Sequence, residues 1–336
     1  MSEILFFDIQ MFAAGDVVNA TTSTELSAEM KTFYDKTLLH LAGPRLVHAQ
    51  FGQKKPIPKN GGKTIEFRRF SKLPKALTPI TEGVTPTGNK LNVTAVTATV
   101  DQYGDYVEQT DMLELTAIDN TIVEATKELA DQAGITLDTV VRNELVAGTN
   151  VMYAPSVDAD GNETEVTSRS ALTKACKLRV KDVFRAAAEL KAVNAPKIDG
   201  AYVAIIHPYV AYDLMQDAGD TWMDINKYKN PEKIYAGEIG TLGGVRFVES
   251  TEAKIIKEGE TAVFCTLFLG QNAYGVTEIE GGGLEHIVKQ KGYGNDPLNQ
   301  RSSVGWKGTE VAKRLLEEYL IRFESGSSFS DTAEEN

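Results

Sequence analysis

The chain has few cysteines, few histidines and no long apolar run. Its only cysteines, Cys176 and Cys265, lie far apart and outside any C-x-x-C pair. This pattern excludes a disulfide framework or a cysteine-ligated zinc site and is typical of a reduced, cytosolic compartment. The longest apolar stretch, 262–269, is far shorter than the roughly 20 residues that a membrane helix requires. The first residues have no basic region and include Asp8 within the apolar run, so we do not expect a signal peptide.

Positive charge is also scarce. The chain has 35 Lys and Arg residues against 47 Asp and Glu residues, which gives a formal net charge of −12. Broad nucleic-acid binding requires a basic face that neutralises phosphates, and the overall balance argues against it. The composition is typical of a soluble globular protein, and 336 residues suffice for one elaborate domain or two ordinary ones.

Several catalytic and ligand-binding motifs are incomplete. The run GGKT at 61–64 resembles the end of a phosphate loop, but Ile57 stands where the motif needs its first glycine, and a strand pattern follows instead of a helix. The run 158–163 begins like a calcium loop, but Glu163 stands where that loop needs glycine, which favours an acidic turn. The four histidines show no metal-binding spacing, and His207 has no accompanying nucleophile. The sequence therefore predicts no enzyme, cofactor or metal site.

Apolar periodicity predicts one unusually long helix over 117–147, with Gly148 as its stop signal. Strands and helices then alternate as in a compact α/β unit. We predict helices at 180–193 and 209–216 and strands at 202–206, 245–249, 262–269 and 284–289.

The end of the chain gives conflicting signals. Val311, Leu315 and Tyr319 have helical spacing, whereas 319–324 alternates like a strand. Residues 325–336 are rich in Gly, Ser and acids and are predicted to form a flexible tail.

One segment opposes the charge of the rest of the chain. Residues 54–75 hold eight bases against Glu66 alone, a net charge of +7 in 22 residues. The bases are Lys54, Lys55, Lys59, Lys63, Arg68, Arg69, Lys72 and Lys75. Residues 76–150 instead carry twelve acids and three bases. Opposite fields on one chain steer its association with further copies, so the segment is either an interaction arm or a solvated basic loop.

The same segment is predicted to form a projecting hairpin. Residues 64–68 alternate apolar and polar side chains as a strand does, and 91–100 form a second strand rich in Val and Thr. A connection rich in proline and threonine joins the two. The exposed strand edges of such a hairpin promote aggregation of a monomer unless another chain covers them.

Several long and unusual phrases are distributed along the chain. They are KKPIPKNGGKTIEFRRF at 54–70, LTPITEGVTP at 77–86, QYGDYVE at 102–108, APKIDG at 195–200, YGVTEIEGGG at 274–283, DPLNQR at 296–301 and VGWK at 304–307. In these phrases the sequence resembles the major capsid proteins of tailed double-stranded DNA phages, in the branch typified by coliphage N-four. The resemblance covers about 26–324, nearly the whole chain.

The resemblance implies an α+β architecture, the Hong Kong 97 capsid fold, and favours strands over a helix for 304–324. It divides the chain into an N-terminal arm (1–50), an extended β-hairpin loop (51–92), a peripheral domain with the long helix as its spine (93–170), an axial domain (171–281), a return to the peripheral domain (282–324) and the tail (325–336).

The implied function is self-assembly into the pentamers and hexamers of an icosahedral shell that encloses the phage genome. The implied location is the virion capsid, after assembly in the bacterial host cytoplasm. Scaffolding, portal and decoration proteins are the further expected partners, packaged DNA is contacted non-specifically at most, and no membrane is involved. We hypothesise that the basic loop docks on an acidic surface of the adjacent subunit, with Glu124, Glu128 and Asp131 of the long helix as its candidate counter-surface.

Other functions stay open on the sequence. A nanocompartment shell protein of the same fold would enclose enzyme cargo instead of DNA. From different classes, the alternatives are a nucleic-acid-binding module with a basic arm and a metabolic enzyme whose site is not recognised.

Overall fold

The computed structural model describes residues 46–70, 73–117, 121–158, 160–219, 223–224, 237–280 and 282–336. In these ranges the α-helices are α1 (Asp111–Thr116), α2 (Thr121–Val146), α3 (Val180–Ala192) and α4 (Pro208–Ala218). The strands are β1 (Gln53–Lys54), β2 (Thr64–Phe70), β3 (Val93–Thr99), β4 (Asp101–Thr110), β5 (Val151–Tyr153), β6 (Ser156–Val157), β7 (Glu163–Thr164), β8 (Tyr202–Ile206), β9 (Met223–Asp224), β10 (Glu238–Leu242), β11 (Val245–Glu249), β12 (Ile255–Glu258), β13 (Thr261–Leu269), β14 (Tyr274–Thr277), β15 (Glu285–Lys289), β16 (Arg301–Arg314) and β17 (Leu320–Ser325).

The larger sheet has eight strands in the order β5-β17-β13-β8-β11-β10-β9, with β12 paired to β13. Strand β13 is central and buried along almost its whole length, as its unbroken apolar run predicts. Helices α3 and α4 contribute side chains to the same core. Helix α4 begins at Pro208, a residue suited to the first helical position, and the His207 ring accepts a hydrogen bond from the Tyr209 N–H at 3.2 Å.

The second sheet has five strands, ordered β1-β14-β16-β15, with β4 also paired to β16. The long helix α2 packs on this sheet because Leu129, Ala130 and Ala133 place a narrow apolar stripe against Val304 and Trp306 of β16. Alanine at two of these positions lets the helix approach the strands closely.

Strands β2 and β3 form a separate antiparallel hairpin that pairs all seven residues of each strand, from Thr64 with Thr99 to Phe70 with Val93. The predicted strands at 64–68 and 91–100 are thus confirmed, with β3 slightly shorter than predicted. Residues 73–92 between the hairpin ends contain neither helix nor strand.

The long-helix prediction is confirmed, but its start is wrong. The helix α2 begins at Thr121 and ends at Val146. Ala117 is extended and closes the short helix α1, which the sequence analysis missed. Residues 118–120 lie outside the described ranges, as do 1–45, which include most of the predicted N-terminal arm.

The helical alternative for the chain end is wrong, and the strands favoured by the resemblance are confirmed. Val311 and Ala312 belong to β16, where they pair with β14. Only Glu317–Tyr319 forms a single 3-10 turn before β17. Tertiary pairing outweighs helical spacing here because β16 must supply hydrogen bonds to β4, β14 and β15.

The prediction of a flexible tail over 325–336 is also wrong. Ser325 is a buried residue of β17. The carboxylate of Asp213 in α4 accepts hydrogen bonds from the Ser327 hydroxyl and the Ser328 N–H, both at 2.8 Å. The ring of Phe329 stacks on Tyr209 with 4.4 Å between centroids. Polar composition predicts exposure, but here the serine hydroxyls satisfy a buried carboxylate.

Candidate self-assembly surface

An apolar cluster fixes the hairpin at its root. Ile65 and Phe67 alternate toward it from β2, and Ala98 meets them from β3. The Phe67 ring lies directly over Gly275 of β14, where an added Cβ would stand 2.5 Å from a ring carbon. Glycine is therefore required at this close approach. The hairpin leaves the five-stranded sheet from a packed base.

One carboxylate anchors the chain that leads into this loop. Asp138 of α2 accepts a hydrogen bond from the backbone N–H of His48 at 2.7 Å, and its other oxygen lies 2.6 Å from His48 Nδ1. Both side chains are fully buried. The Tyr274 hydroxyl donates to the His48 carbonyl. Burial raises the pKa of Tyr274, which keeps the hydroxyl protonated as a donor. The segment is thus tied to both α2 and β14 where the loop departs.

Seven of the eight predicted loop cations lie in the described ranges, whereas Lys72 lies outside them. All seven are exposed: Lys54, Lys55, Lys59, Lys63, Arg68, Arg69 and Lys75. Arg68 pairs with Glu66 at 2.9 Å, and Lys55 donates to the Glu66 carbonyl at 3.1 Å. The cations are spread from the root to the distal end of the hairpin, so the loop presents a basic stripe.

Large apolar side chains accompany these cations on the distal loop, which the sequence analysis missed. Leu77 is 82% exposed and Ile80 is 77% exposed. The full exposed set is Phe70, Leu73, Leu77, Ile80, Val84, Leu91 and Val93. The available signal was a proline-rich connection holding apolar residues with no helical or strand period. A soluble monomer rarely leaves such a group uncovered.

The acids predicted as counter-surface share one face of α2, since 124, 128 and 131 are spaced as i, i+4 and i+7. Glu124 and Glu128 are exposed, and Asp131 is half-buried. Glu124 already pairs with Lys127 at 2.7 Å. The structure brings the three acids together on one face of the helix.

A second exposed surface, which we call the acidic edge, comprises residues 101–116 of β4 and α1. It has five acids and no base in its sequence. Its exposed large apolar side chains are Tyr106, Val107, Met112, Leu113 and Leu115. Helix α1 has no buried residue, and in the described part of the chain β4 pairs with β16 alone. Within these ranges the other side of this strand has no strand partner.

A cavity of about 280 Å³ lies beneath the loop root, with Lys54, Lys55, Glu278 and Glu310 as its charged lining. Burial raises the pKa of Glu310 to about 7, aided by the negative charges of Asp138 and Glu278 and opposed by Lys54. Glu310 therefore exchanges its proton near neutral pH, whereas an ordinary glutamate does so near pH 4.

The remaining sequence candidates have structural roles. His207 caps α4, and burial lowers its pKa to about 4. The Asp158 carboxylate accepts from the N–H groups of Asp160 and Asn162, at 3.0 and 2.7 Å, and so closes the predicted acidic turn between β6 and β7. Among the described residues, no group of three or more His, Cys, Asp or Glu side chains could hold a metal ion. In the same ranges, no helix is long and apolar enough to span a bilayer.

Comparison with known proteins identifies the family of this chain. A sequence model described as "Phage capsid protein" matches residues 93–320, more than half of the chain. The chain belongs to this phage capsid protein family. A search of curated proteins finds no match to the capsid protein.

Solved phage capsids share its fold. The capsid of Ralstonia phage GP4 superposes with a TM-score of 0.64 at 14% identity, covering 86% of this chain and 90% of that one. The capsid of Cyanophage P-SCSP1u gives 0.59 at 15% identity, with coverages of 84% and 89%. Cyanophage Pam1 gives 0.59 at 13% identity, with coverages of 83% and 89%. The α+β fold is of the Hong Kong 97 type, as the resemblance implied, and the protein is a self-associating, shell-forming component of the virion capsid. The N-four branch stays a prediction.

Proposed function

We propose that this capsid protein forms rings of five and six copies that close into the icosahedral shell around the double-stranded DNA of a tailed phage. The observation that carries the proposal is the loop itself. Its root is packed on Gly275 and tied through His48, yet its distal part exposes seven large apolar side chains. A firmly held hairpin with an uncovered distal end is suited to contact a neighbouring subunit.

In this proposal the basic stripe clips adjacent subunits together. The exposed cations of residues 54–75 lie against acidic surface of the next subunit, which fixes the register of the ring. Exposed charges are screened over about 10 Å at 0.1 M salt, so we expect assembly to slow at high salt. Apolar contacts are not screened, and completed shells should therefore persist in the same salt.

Charge reversal on the hairpin tests this proposal. We expect Arg68→Glu with Arg69→Glu to leave the subunit folded and to abolish or strongly slow shell formation. The matched control, Lys191→Glu with Lys257→Glu, makes the same charge change on exposed residues of α3 and β12 and should still assemble. Light scattering and negative-stain electron microscopy at low and high salt give the readout. Formation of normal shells by the loop variant at the wild-type rate would contradict the proposed contact between the basic loop and the next subunit.

The remaining parts of the proposal follow from the charge balance and the family. A chain with a net charge of −12 does not trap DNA as the genome enters, so DNA contacts are non-specific at most. Assembly takes place in the host cytoplasm with scaffolding and portal proteins and, in some particles, decoration proteins. The protein acts as a structural component without catalysis. Family membership favours the phage shell over a nanocompartment and over a nucleic-acid-binding module.

A further inference from the structure

The loop needs a partner surface that is both apolar and acidic. Its charge accounts only for the acidic part of this requirement. Its cations call for carboxylates, but Leu77 and Ile80 are its most exposed large apolar side chains and call for apolar surface. The face of α2 that carries Glu124 and Glu128 offers only half of this match. Among the described residues of α2, no large apolar side chain is exposed.

The acidic edge offers both halves. Five large apolar side chains lie exposed within residues 106–115, and Leu115 is 76% exposed. Two of its five carboxylates are paired, Glu114 with Lys291 at 2.8 Å and Glu108 with Arg301 at 3.9 Å. The edge keeps a net charge of −3 after these two cations are counted against its five acids.

Another exposed apolar group in the described residues lacks this match. Tyr212, Met215 and Phe329 lie together on α4 and the chain end. Lys177 and Lys174 lie beside them, on Asp213 at 3.6 Å and on Asp331 at 3.8 Å. A basic loop gains less from this surface because Asp213 and Asp331 already pair with lysines.

A second copy of the chain is the occupant that the strand order favours for the acidic edge. Strand β3 runs into β4 through Val100 alone, and the Val100 N–H continues the hairpin ladder by donating to the Lys63 carbonyl at 2.8 Å. The loop precedes this run, and α1 follows it. An extended run of 18 residues spans up to about 60 Å, which puts the loop tip and α1 of one chain at opposite ends.

We infer that the distal loop of one subunit lies on the acidic edge of the next, so that a basic, apolar tip covers an acidic, apolar strand edge. This inference rests on the proposed assembly and names its counter-surface. Because the two surfaces differ, the contact is heterologous, and repetition closes a ring if the rotation allows it. The contact also covers the open side of β4.

Cysteine cross-linking tests the inference on assembled particles. Cys176 and Cys265 are both buried, so introduced thiols react selectively. We would combine Leu77→Cys with Leu115→Cys, treat particles with a flexible bis-maleimide and run denaturing gels. We expect loss of most of the monomer band into a ladder of covalent multiples. Leu77→Cys alone is the control for non-specific reaction and should stay monomeric.

Leu77→Cys with Glu128→Cys is the matched alternative on the α2 face. A ladder from this pair, with none from the Leu115→Cys pair, would contradict the acidic edge as the counter-surface and leave the proposed assembly unaffected. Absence of particles from the wild-type protein would instead contradict the proposed assembly.

Hydrogen–deuterium exchange on wild-type protein adds a measurement without substitutions. Assembly should slow exchange in 106–115, and unchanged exchange there would contradict the inference.

Discussion

His48 and Asp138 are joined by two contacts across 90 positions of sequence: the backbone N–H of His48 donates to Oδ1 at 2.7 Å, and its ring Nδ1 lies 2.6 Å from Oδ2. The pair is fully buried, and Tyr274 holds the His48 carbonyl from the other side. This contact joins the start of the loop to the long helix. It fixes the point from which the hairpin departs.

Asp138→Ala should destabilise the subunit. Removing the carboxylate leaves the His48 N–H and ring buried without their acceptor, which costs about 3 kcal/mol. Urea unfolding of unassembled protein measures the loss. Glu128→Ala, on an exposed position of the same helix, should change the unfolding free energy little. Equal stability of the two variants would show that the contact does not anchor the chain.

Phe67→Ala should loosen the loop root. Deleting a buried phenylalanine costs about 3–5 kcal/mol and removes the ring that covers Gly275. We expect faster limited proteolysis within 68–92 and slower assembly. Phe70→Ala is the matched control for the proteolysis rate alone, because Phe70 lies in the same strand but is 59% exposed and belongs to the proposed contact surface. Proteolysis at the wild-type rate in the Phe67 variant would contradict a packed root.

Glu310 should make the subunit less stable as pH rises toward neutrality. Its pKa is raised from 4.5 to about 7 in the folded state, so the folded protein holds a proton that the unfolded chain releases. The resulting stability is present in full below about pH 4.5 and is lost as pH rises through about 7. Burial is the main cause of this raised pKa, with the charges of Asp138 on α2 and Glu278 beyond β14 adding to the rise and Lys54 on β1 opposing it. Asp101 lies opposite Glu310 on β4.

Glu310→Gln tests this expectation because the amide mimics the protonated side chain at every pH. The variant should match wild type near pH 4 and exceed it by about 3 kcal/mol at pH 8. Thermal unfolding at both pH values gives the comparison. Glu280→Gln, on an exposed side chain, should keep the wild-type pH profile. A wild-type profile for Glu310→Gln would rule out this role for the carboxyl group.

Deletion of residues 327–336 should destabilise the larger sheet. The truncation leaves the buried Asp213 carboxylate without Ser327 and Ser328 and uncovers Tyr209, a loss of about 1–3 kcal/mol. Ser330→Ala keeps these contacts and should unfold like wild type. A truncated protein that unfolds at the wild-type temperature would restore the free-tail reading of this segment.

Local patterns in the sequence predicted the elements whose burial follows a regular period. Helix α2 and strand β2 are examples, because each buries a face that its own residues define. Strands β8 and β13 are buried on both faces, and their unbroken apolar runs predicted them. The basic stripe was also predictable, since charge is additive along a segment and depends little on distant contacts. Seven of its members are exposed where the structure describes them.

Contacts between distant segments could not be predicted in the same way. The apolar residues of the distal loop were expected to be ordinary connection residues, and their exposure becomes evident only once the described residues around them are placed. The bond between Ser327 and Asp213 spans 114 positions, so composition alone suggested a free tail. The acidic edge likewise depends on which side of β4 remains open.

Negative-stain electron microscopy of the purified protein, expressed alone and with neighbouring phage genes, shows whether the subunits assemble. We expect closed shells, or rings of five or six copies, in at least one preparation. A monodisperse monomer in both preparations would contradict assembly through the loop.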